Sequence, residues 1–396
     1  MNFSVNFGAA LLVVLFGVLA SSNTSPYPDD LEVRGFNIGF FANQVPIEYA
    51  PDMVIEVNSE LNNSSLDRII NRLESKPLNV LLNSLLEQKK TLQLNDFLFY
   101  KLAQQSVAVI YKGQQTNART LTLFSLMARS GYDVRLTYRK DKAFLNIHTE
   151  EDLFEVPIID HSGRAYANIS CLNGSCKARQ SLYIYRRQPN PKGRSFSFKL
   201  DQWPLLDAKP TLRPLTFNFH GVTQKLDVQF DQTMVDIMSD YPFIHEYAYL
   251  DTPLSPTLSK SLLPPLRRML AQLSEREQLE LLVSFTRSAF LYKEDNEYFG
   301  RSKPMVPEEL FSYDFSDCED RSALVRELLD TPMAVIAYDD HLTIAVASET
   351  IMGDHFDYQG KRYVFCDPTG PSGSSRIGEI PPGYENKSFQ IIGEHN

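Results

Sequence analysis

The stretch Ser316–Val325, with the sequence SDCEDRSALV, sets one cysteine among charged residues at the start of an apolar helical run. Ser316 and Glu319 have the spacing of a capping box, which predicts a helix that has Ser316 as its N-cap and continues to about Asp330. Cys318 would then lie in the first helical turn, where free backbone N–H groups and the helix dipole favour a thiolate. The same N–H groups could stabilise an oxyanion beside the sulfur. The pattern therefore predicts a nucleophilic cysteine.

A thiolate nucleophile needs a base, and the base needs a group that orients it. His341 begins a predicted strand, HLTIAVAS, and Asp367 ends another, KRYVFCD. If the two strands pair antiparallel with Ser348 near Lys361, His341 lies opposite Asp367 or its neighbour, with Cβ atoms about 5 Å apart. A local hairpin that pairs Tyr358 with Lys361 is a competing register. One helix start and two strand ends would bring the three side chains together.

Three separate blocks resemble the signature blocks of the transglutaminase-like superfamily, in the order cysteine, histidine and aspartate. They are Ser316–Val325 (SDCEDRSALV), Asp339–Val346 (DDHLTIAV) and Cys366–Gly373 (CDPTGPSG). The segment Val283–Gly300 before them resembles the usual lead-in of the family. The resemblance extends over about Ser274–Gly378.

This resemblance implies a papain-like fold for the C-terminal part of the chain and a role for each of three residues. Cys318 would be the nucleophile, His341 the general base and acid, and Asp367 the group that orients the imidazole. The implied chemistry is acyl transfer from a peptide or amide substrate through a thioester. We expect hydrolysis rather than transamidation, because water is the default acyl acceptor outside the cell. The alternative is a catalytically inactive binding or scaffold protein with the same fold.

Two hairpin-like stretches indicate an internal duplication. Asp160–Tyr166 matches Asp357–Tyr363 in the pattern D-x-x-G-[RK]-x-Y, at an offset of 197 positions. Helices and strands also follow in the same order in both halves of the chain, as expected for a repeated unit.

The N-terminal copy lacks the cysteine, the histidine and the aspartate of the C-terminal site. Thr116 or Asn117 occupies the position of the cysteine, Ser170 occupies that of the aspartate, and the window Arg139–Phe144 holds no histidine. We therefore expect this copy to be inactive and to serve packing or substrate binding.

The spacing of apolar residues and the turn-forming residues between apolar segments predict an α+β fold in several parts. Amphipathic helices dominate the first part and alternating strands the middle, and a Pro/Ser-rich stretch follows. The predicted divisions are a signal peptide at 1–22, a degenerate transglutaminase-like domain at 23–172, a β-rich module at 173–255 and a catalytic domain at 256–396.

The N-terminus and the first two cysteines point to an oxidising compartment. Gly8–Ala20 is an unbroken apolar run, too short to span a bilayer but typical of a signal-peptide core. Export to the periplasm or the extracellular space follows, with no membrane anchor after cleavage. Cys171 and Cys176 flank an Asn173-Gly174 turn, which predicts a hairpin with a cross-strand disulfide.

Other ligands and partners are less well supported by the residues. The net charge of −10 and the lack of a basic cluster argue against nucleic acid, and the sequence does not fix an oligomeric state. We interpret Cys366 as a buried strand residue. The alternative is that it forms a redox pair with Cys318. Metal ligands could come from a set of C-terminal residues without a compact ligand spacing, so we expect neither a metal nor a cofactor. The set comprises Asp339, Asp340, His341, Asp354, His355 and Asp357.

Overall fold

The structure is a computed structural model that describes residues 31–58, 60–74, 77–174, 181–190, 192–245, 247–370 and 375–395. The predicted signal peptide at 1–22 lies outside these ranges. The chain divides into two compact units. The first extends to Ser197, except that residues 151–155 belong with the second, which continues from Phe198. The architecture is α+β, as predicted.

The first unit combines a hairpin, four α-helices and a five-stranded sheet. Its elements are β1 (Arg34–Phe40), β2 (Asn43–Tyr49), α1 (Asn63–Leu73), α2 (Pro77–Thr91), α3 (Asp96–Ile110), α4 (Thr116–Arg129), β3 (Val134–Arg139), β4 (Lys142–His148), β5 (Ile158–His161), β6 (Arg164–Asn168) and β7 (Tyr183–Ile184). The side chains of Asn62 and Asn95 cap α1 and α3, accepting backbone N–H groups at 3.0 and 2.9 Å. These caps explain where both helices begin.

The second unit repeats this order with additional short helices. Its elements are β8 (Pro210–Phe219), β9 (Val222–Asp231), α5 (Gln232–Ser239), α6 (Tyr247–Leu250), α7 (Pro256–Leu270), α8 (Glu275–Ala289), β10 (Leu291–Tyr292), α9 (Asp295–Tyr298), α10 (Pro307–Leu310), β11 (Phe315–Ser316), α11 (Cys318–Leu328), β12 (Met333–Ala337), β13 (Leu342–Ala347), β14 (His355–Tyr358), β15 (Lys361–Cys366) and β16 (Gln390–His395). Within the described ranges, no helix has both the length and the apolar character needed to cross a membrane.

The long hairpin β8–β9 belongs to the second unit. Its strands alternate between exposed and buried residues, and the buried Val228 and Phe230 share one core with Leu258 and Leu262 of α7. The residues predicted as a separate β-rich module at 173–255 are therefore divided between the two units. The hairpin cannot bury its apolar face alone, and the helices that follow it cover that face.

Strand β15 lies between β13 and β14 and forms hydrogen bonds with both. Tyr358 pairs with Lys361 on one side, and Ile344 pairs with Cys366 on the other. The two strand pairings considered from the sequence therefore coexist, because they use opposite edges of β15. The β13–β15 register is shifted by one residue from the predicted one, since Ala347 pairs with Tyr363 rather than with Arg362. Continued by one pair, the second register sets Thr343 rather than His341 opposite Asp367.

The five-stranded sheets of the two units have the same topology. Across the sheet, the strands of the first unit lie in the order β5-β6-β4-β3-β7, and those of the second unit lie in the order β14-β15-β13-β12-β16. If the five strands of each sheet are numbered along the chain, both sheets have the spatial order 3-4-2-1-5. The hairpins also share their register, since Asp160 pairs with Ala165 and Asp357 pairs with Arg362.

The predicted disulfide lies only partly within the described ranges. Residues Ile169–Gly174 form a 3₁₀ helix, so the predicted cross-strand hairpin around Asn173-Gly174 is wrong. Cys171 is buried at the middle of this helix, and Cys176 lies outside the described residues. The disulfide between them stays a prediction.

Glu308 gives the second unit a pH-dependent stability. Its fully buried carboxyl accepts hydrogen bonds from the Asp231 N–H and, at 2.9 Å, from the Ser255 hydroxyl. Burial raises the pKa of Glu308 to about 7. Because the folded pKa lies above the unfolded one, this group stabilises the fold most at low pH, and the contribution is lost as the pH rises through about 7.

We expect Glu308→Gln to flatten the pH dependence of the free energy of unfolding between pH 5 and 8 by roughly 2–3 kcal/mol. Urea unfolding at several pH values measures this slope. Glu349→Gln, at an exposed position, is the matched control and should keep the wild-type slope. An unchanged slope in Glu308→Gln would contradict the assignment.

Candidate catalytic site

The helix that carries the cysteine begins one residue later than predicted. Helix α11 starts at Cys318, and Asp317 is its N-cap. The Asp317 N–H donates to Asp320 Oδ2 at 3.1 Å, whereas Ser316 lies in β11 and its hydroxyl accepts from Arg321 Nε at 3.0 Å. The predicted capping box at Ser316 is therefore wrong. The physical reason is that the Ser316 hydroxyl accepts its hydrogen bond from the buried Arg321 guanidinium instead of from a backbone N–H of the helix.

Cys318 is half-buried beside acidic side chains. Its thiol donates to Glu319 Oε2 at 3.1 Å, and the backbone N–H of Leu342 donates to the sulfur. Burial, and then the charges of Glu319 and Asp317, raise the pKa of the thiol well above its usual value. The sequence predicted a lowered pKa from the helix start. In this conformation burial and two carboxylates outweigh that effect.

His341 and Asp367 lie together at the edge of the sheet. His341 Nε2 is 3.5 Å from Asp367 Oδ1, and their side chains are 13% and 3% exposed. The hydroxyl of Thr369 donates to the same carboxylate oxygen at 2.7 Å and lies 3.4 Å from His341 Nε2. Burial would raise the pKa of Asp367, but His341 and then Thr369 outweigh it and lower the pKa. Asp367 therefore stays ionised, and Nδ1 is the His341 nitrogen left for proton exchange.

Arg321 joins the helix start to the segment after Asp367. Its side chain is 1% exposed and donates to the Ser316 hydroxyl, to the Thr369 carbonyl at 2.8 Å and to the Phe290 carbonyl at 2.9 Å. Removal from water lowers the pKa of Arg321 to about 10, so it stays charged near neutral pH. These three hydrogen bonds hold the start of α11 to Phe290 and to the segment after Asp367.

Two aromatic side chains lie beside the site, and neither was predicted. The ring of Tyr384 is 5.1 Å from the His341 ring, and its hydroxyl donates to Asp340 Oδ1 at 3.0 Å. Tyr292 is 47% exposed, lies 5.3 Å from the Arg321 guanidinium and is near enough to interact electrostatically with Cys318. They provide apolar surface on which a substrate could pack.

A group of acidic side chains surrounds the first turn of α11. Oxygens of Asp295, Asp317 and Glu319 lie within 4.8 Å of one another. Asp320 is fully buried and accepts the Met305 N–H at 2.7 Å. Burial, followed by the charge of Asp317, raises the pKa of Asp295 to about 6. In the described part of the chain, this is the one group of three potential ligands that lie close enough together to hold a metal. The aspartates and histidines considered from the sequence as metal ligands therefore do not converge.

The remaining predicted cysteine, Cys366, is a buried residue of β15. It is free and fully buried, and burial raises its pKa to about 12. Both features agree with a core residue.

The start of α4 in the first unit resembles the start of α11. Asn117 Oδ1 accepts the Ala143 N–H at 3.0 Å, in the way that the Cys318 sulfur accepts the Leu342 N–H. Lys142 precedes Ala143 where His341 precedes Leu342. By this contact Asn117 corresponds to Cys318, whereas by position Thr116 is the first residue of α4 as Cys318 is of α11.

Comparison with protein-family models, with curated proteins and with solved structures found no match. The family resemblance of the three sequence blocks therefore stays a prediction, and the geometry of the residues described above carries the functional proposal.

Proposed function

We propose that the second unit is a transglutaminase-like thiol enzyme with a papain-like arrangement, acting on peptide or amide bonds through Cys318, His341 and Asp367. The observation that carries the proposal is the buried contact between His341 Nε2 and Asp367, beside a helix that begins with Cys318. An ionised carboxylate in this position holds an imidazole in one orientation and stabilises its protonated form. The segment Gly8–Ala20 supports export of the enzyme to the periplasm or the extracellular space.

The proposed reaction has two steps. In the first, the Cys318 proton passes to His341 Nδ1, the sulfur attacks the amide carbonyl carbon, and the C–N bond breaks as His341 returns the proton to the leaving amine. In the second, His341 takes a proton from water and the resulting oxygen nucleophile attacks the thioester carbon. The C–S bond then breaks, His341 returns the proton to the sulfur, and a carboxylic acid is released. The free N–H groups of the first turn of α11 would stabilise the oxyanion of each tetrahedral intermediate.

We also propose that the first unit is a degenerate copy of the second. The shared strand order, the shared hairpin register and the equivalent contacts of Asn117 and Cys318 support this. An amide at Asn117, an amine at Lys142 and a hydroxyl at Ser170 would stand where the second unit has its thiol, imidazole and carboxylate. Such a unit has no acyl-transfer nucleophile at this place and would serve packing or substrate binding.

One observation favours the alternative of an inactive binding or scaffold protein. The thiol of Cys318 donates to Glu319, and its raised pKa keeps it neutral at physiological pH. An active enzyme would have to redirect that proton to His341 when substrate binds. A direct test of acyl transfer separates the two functions.

The test uses p-nitrophenyl acetate as a generic acyl donor. We expect a burst of p-nitrophenol and an acetyl group on Cys318, located by intact mass and peptide mapping. Cys318→Ala should abolish the burst, and Cys366→Ala, at the buried free cysteine, should keep it. Acetyl transfer to an added amine in preference to water would favour transamidation. Absence of a burst and of acetylated Cys318 would favour the inactive protein.

A further inference from the structure

The segment 367–369, which follows β15 and begins with Asp367, is held by side chains from two helices. The Asp367 carbonyl accepts a hydrogen bond from Arg287 Nη2 at 2.5 Å, and the Thr286 hydroxyl lies 3.2 Å from the Pro368 carbonyl. The next carbonyl along the chain accepts from Arg321 Nη1 at 2.8 Å. Three consecutive carbonyls therefore face donors, two of them from the last turn of α8 and one from α11.

Arg287 also faces the carboxylate of Asp367. Its side chain is 7% exposed, and its Nη2 lies 3.9 Å from Asp367 Oδ2. The other oxygen, Oδ1, faces His341 and accepts both the N–H and the hydroxyl of Thr369. Burial lowers the pKa of Arg287, and the charge of Asp367 opposes this effect. The carboxylate thus lies between a buried cation on one side and the imidazole on the other.

A second segment fixes the guanidinium itself. Arg287 Nη1 donates to the Ser375 carbonyl at 2.9 Å, and Nη2 lies 2.9 Å from the Ser375 hydroxyl. Ser375 is buried. Because an arginine presents its donors in a rigid planar fork, these contacts with Asp367 and Ser375 restrict the guanidinium to one orientation. The position of Asp367 is restricted with it.

The corresponding helix of the first unit has apolar residues at these positions. Helices α3 and α8 each contain 15 residues, follow a side-chain N-cap and precede the helix that begins at the compared sites. Aligned from their first residues, they place Val107 and Ala108 of α3 where α8 has Thr286 and Arg287. The shared strand order therefore does not require a buried arginine at this place. The arginine occurs in the unit that carries the proposed catalytic residues.

We propose that Arg287 is a positioning residue of the acyl-transfer site, which acts by orienting Asp367 Oδ1 toward His341 Nε2. This role rests on the proposed function of Cys318. A carboxylate oriented in this way selects the imidazole tautomer that is protonated on Nε2, and it leaves Nδ1 as the base. Without Arg287, the Asp367 carbonyl loses its donor and the carboxylate loses its nearest cation. The rival explanation is that Arg287 stabilises the fold alone.

The tautomer of His341 tests this role without any need for turnover. NMR of the ¹⁵N-labelled full chain gives the shifts of the two ring nitrogens, which are assigned through their loss in His341→Gln. At a pH where the ring is neutral, we expect the proton on Nε2 in the wild type and a mixture of both tautomers in Arg287→Met. Arg276→Met is the matched control, because Arg276 lies on the same helix and donates to the Ile377 carbonyl instead. It should keep the wild-type tautomer.

Acetylation of Cys318 by p-nitrophenyl acetate gives a second measurement. We expect the burst to be about ten- to a hundredfold slower in Arg287→Met, because a small displacement of a catalytic group is costly. Arg287→Lys keeps the charge but not the planar fork, so it should recover part of the rate and part of the Nε2-protonated tautomer. Arg276→Met should react as the wild type does.

Ser375→Ala decides the question if Arg287→Met does not fold. It removes one acceptor of the guanidinium and should move the tautomer of His341 in the same direction, by a smaller amount. An unchanged tautomer in folded Arg287→Met, or in Ser375→Ala if Arg287→Met does not fold, would overturn the positioning role. A wild-type ring protonated on Nδ1 would do the same. Absence of a burst in the wild type would count against the proposed function instead, and the tautomer would still report whether Arg287 orients Asp367.

Discussion

Replacement of Asp367 by asparagine is expected to slow acetylation of Cys318 by about 10³- to 10⁴-fold. Asp367 Oδ1 faces His341 Nε2 at 3.5 Å. With the imidazole proton on Nε2 and directed at this carboxylate, Nδ1 would be free to receive the proton of the thiol. An asparagine amide can instead donate to Nε2, which moves the imidazole proton to Nδ1. That tautomer cannot act as a base toward Cys318.

The burst rate with p-nitrophenyl acetate measures this loss, and circular dichroism verifies the fold of the variant. Asp339→Asn is the matched control, because it removes a carboxylate from an exposed position near His341 and should keep the wild-type rate. A wild-type burst in Asp367→Asn would mean that another group activates the thiol, with Glu319 the first alternative because of its contact at 3.1 Å.

Replacement of Arg321 by alanine should lower the free energy of unfolding of the second unit by about 3–5 kcal/mol. The guanidinium satisfies the Ser316 hydroxyl and the carbonyls of Phe290 and Thr369 in a fully buried place. Alanine would leave these acceptors unpaired, and it would remove a positive charge that interacts with Asp320. Urea unfolding monitored by circular dichroism gives the change.

Two further variants sharpen this measurement. Arg321→Lys keeps the charge but cannot reach three acceptors at once, so we expect an intermediate loss. Arg301→Ala, at an exposed position in the same unit, should change the stability little. An Arg321→Ala variant as stable as the wild type would refute the anchoring role.

Local patterns predicted the elements of the site better than the contacts between them. Apolar periodicity located the helix after Cys318, the strand that begins near His341 and the strand that ends near Asp367, because those signals depend on neighbouring residues. The N-cap was misassigned to Ser316, since the deciding partner, the Arg321 guanidinium, folds back on it. The predicted β13–β15 register was off by one residue, whereas the predicted pairing of Tyr358 with Lys361 is present at the other edge of β15.

Partners contributed by distant segments could not be predicted from spacing. Thr369 is only two residues from Asp367, and a hydroxyl at that distance was an available signal for a hydrogen bond to the carboxylate. Asp295 and Tyr384 gave no such signal, because β10–β11 pairing and the loop before β16 bring them to the site. Glu319 was interpreted as a cap residue, whereas it faces the thiol.

The hydrogen bond from Cys318 to Glu319 would also slow the oxidation of this proposed nucleophile. Peroxides and disulfides react with thiolates far faster than with neutral thiols. In the substrate-free protein, a cysteine that its neighbours keep protonated is therefore slow to form sulfenic acid or mixed disulfides. In an oxidising compartment, the contact with Glu319 would therefore both lower the reactivity of Cys318 toward substrate and protect its thiol from oxidation.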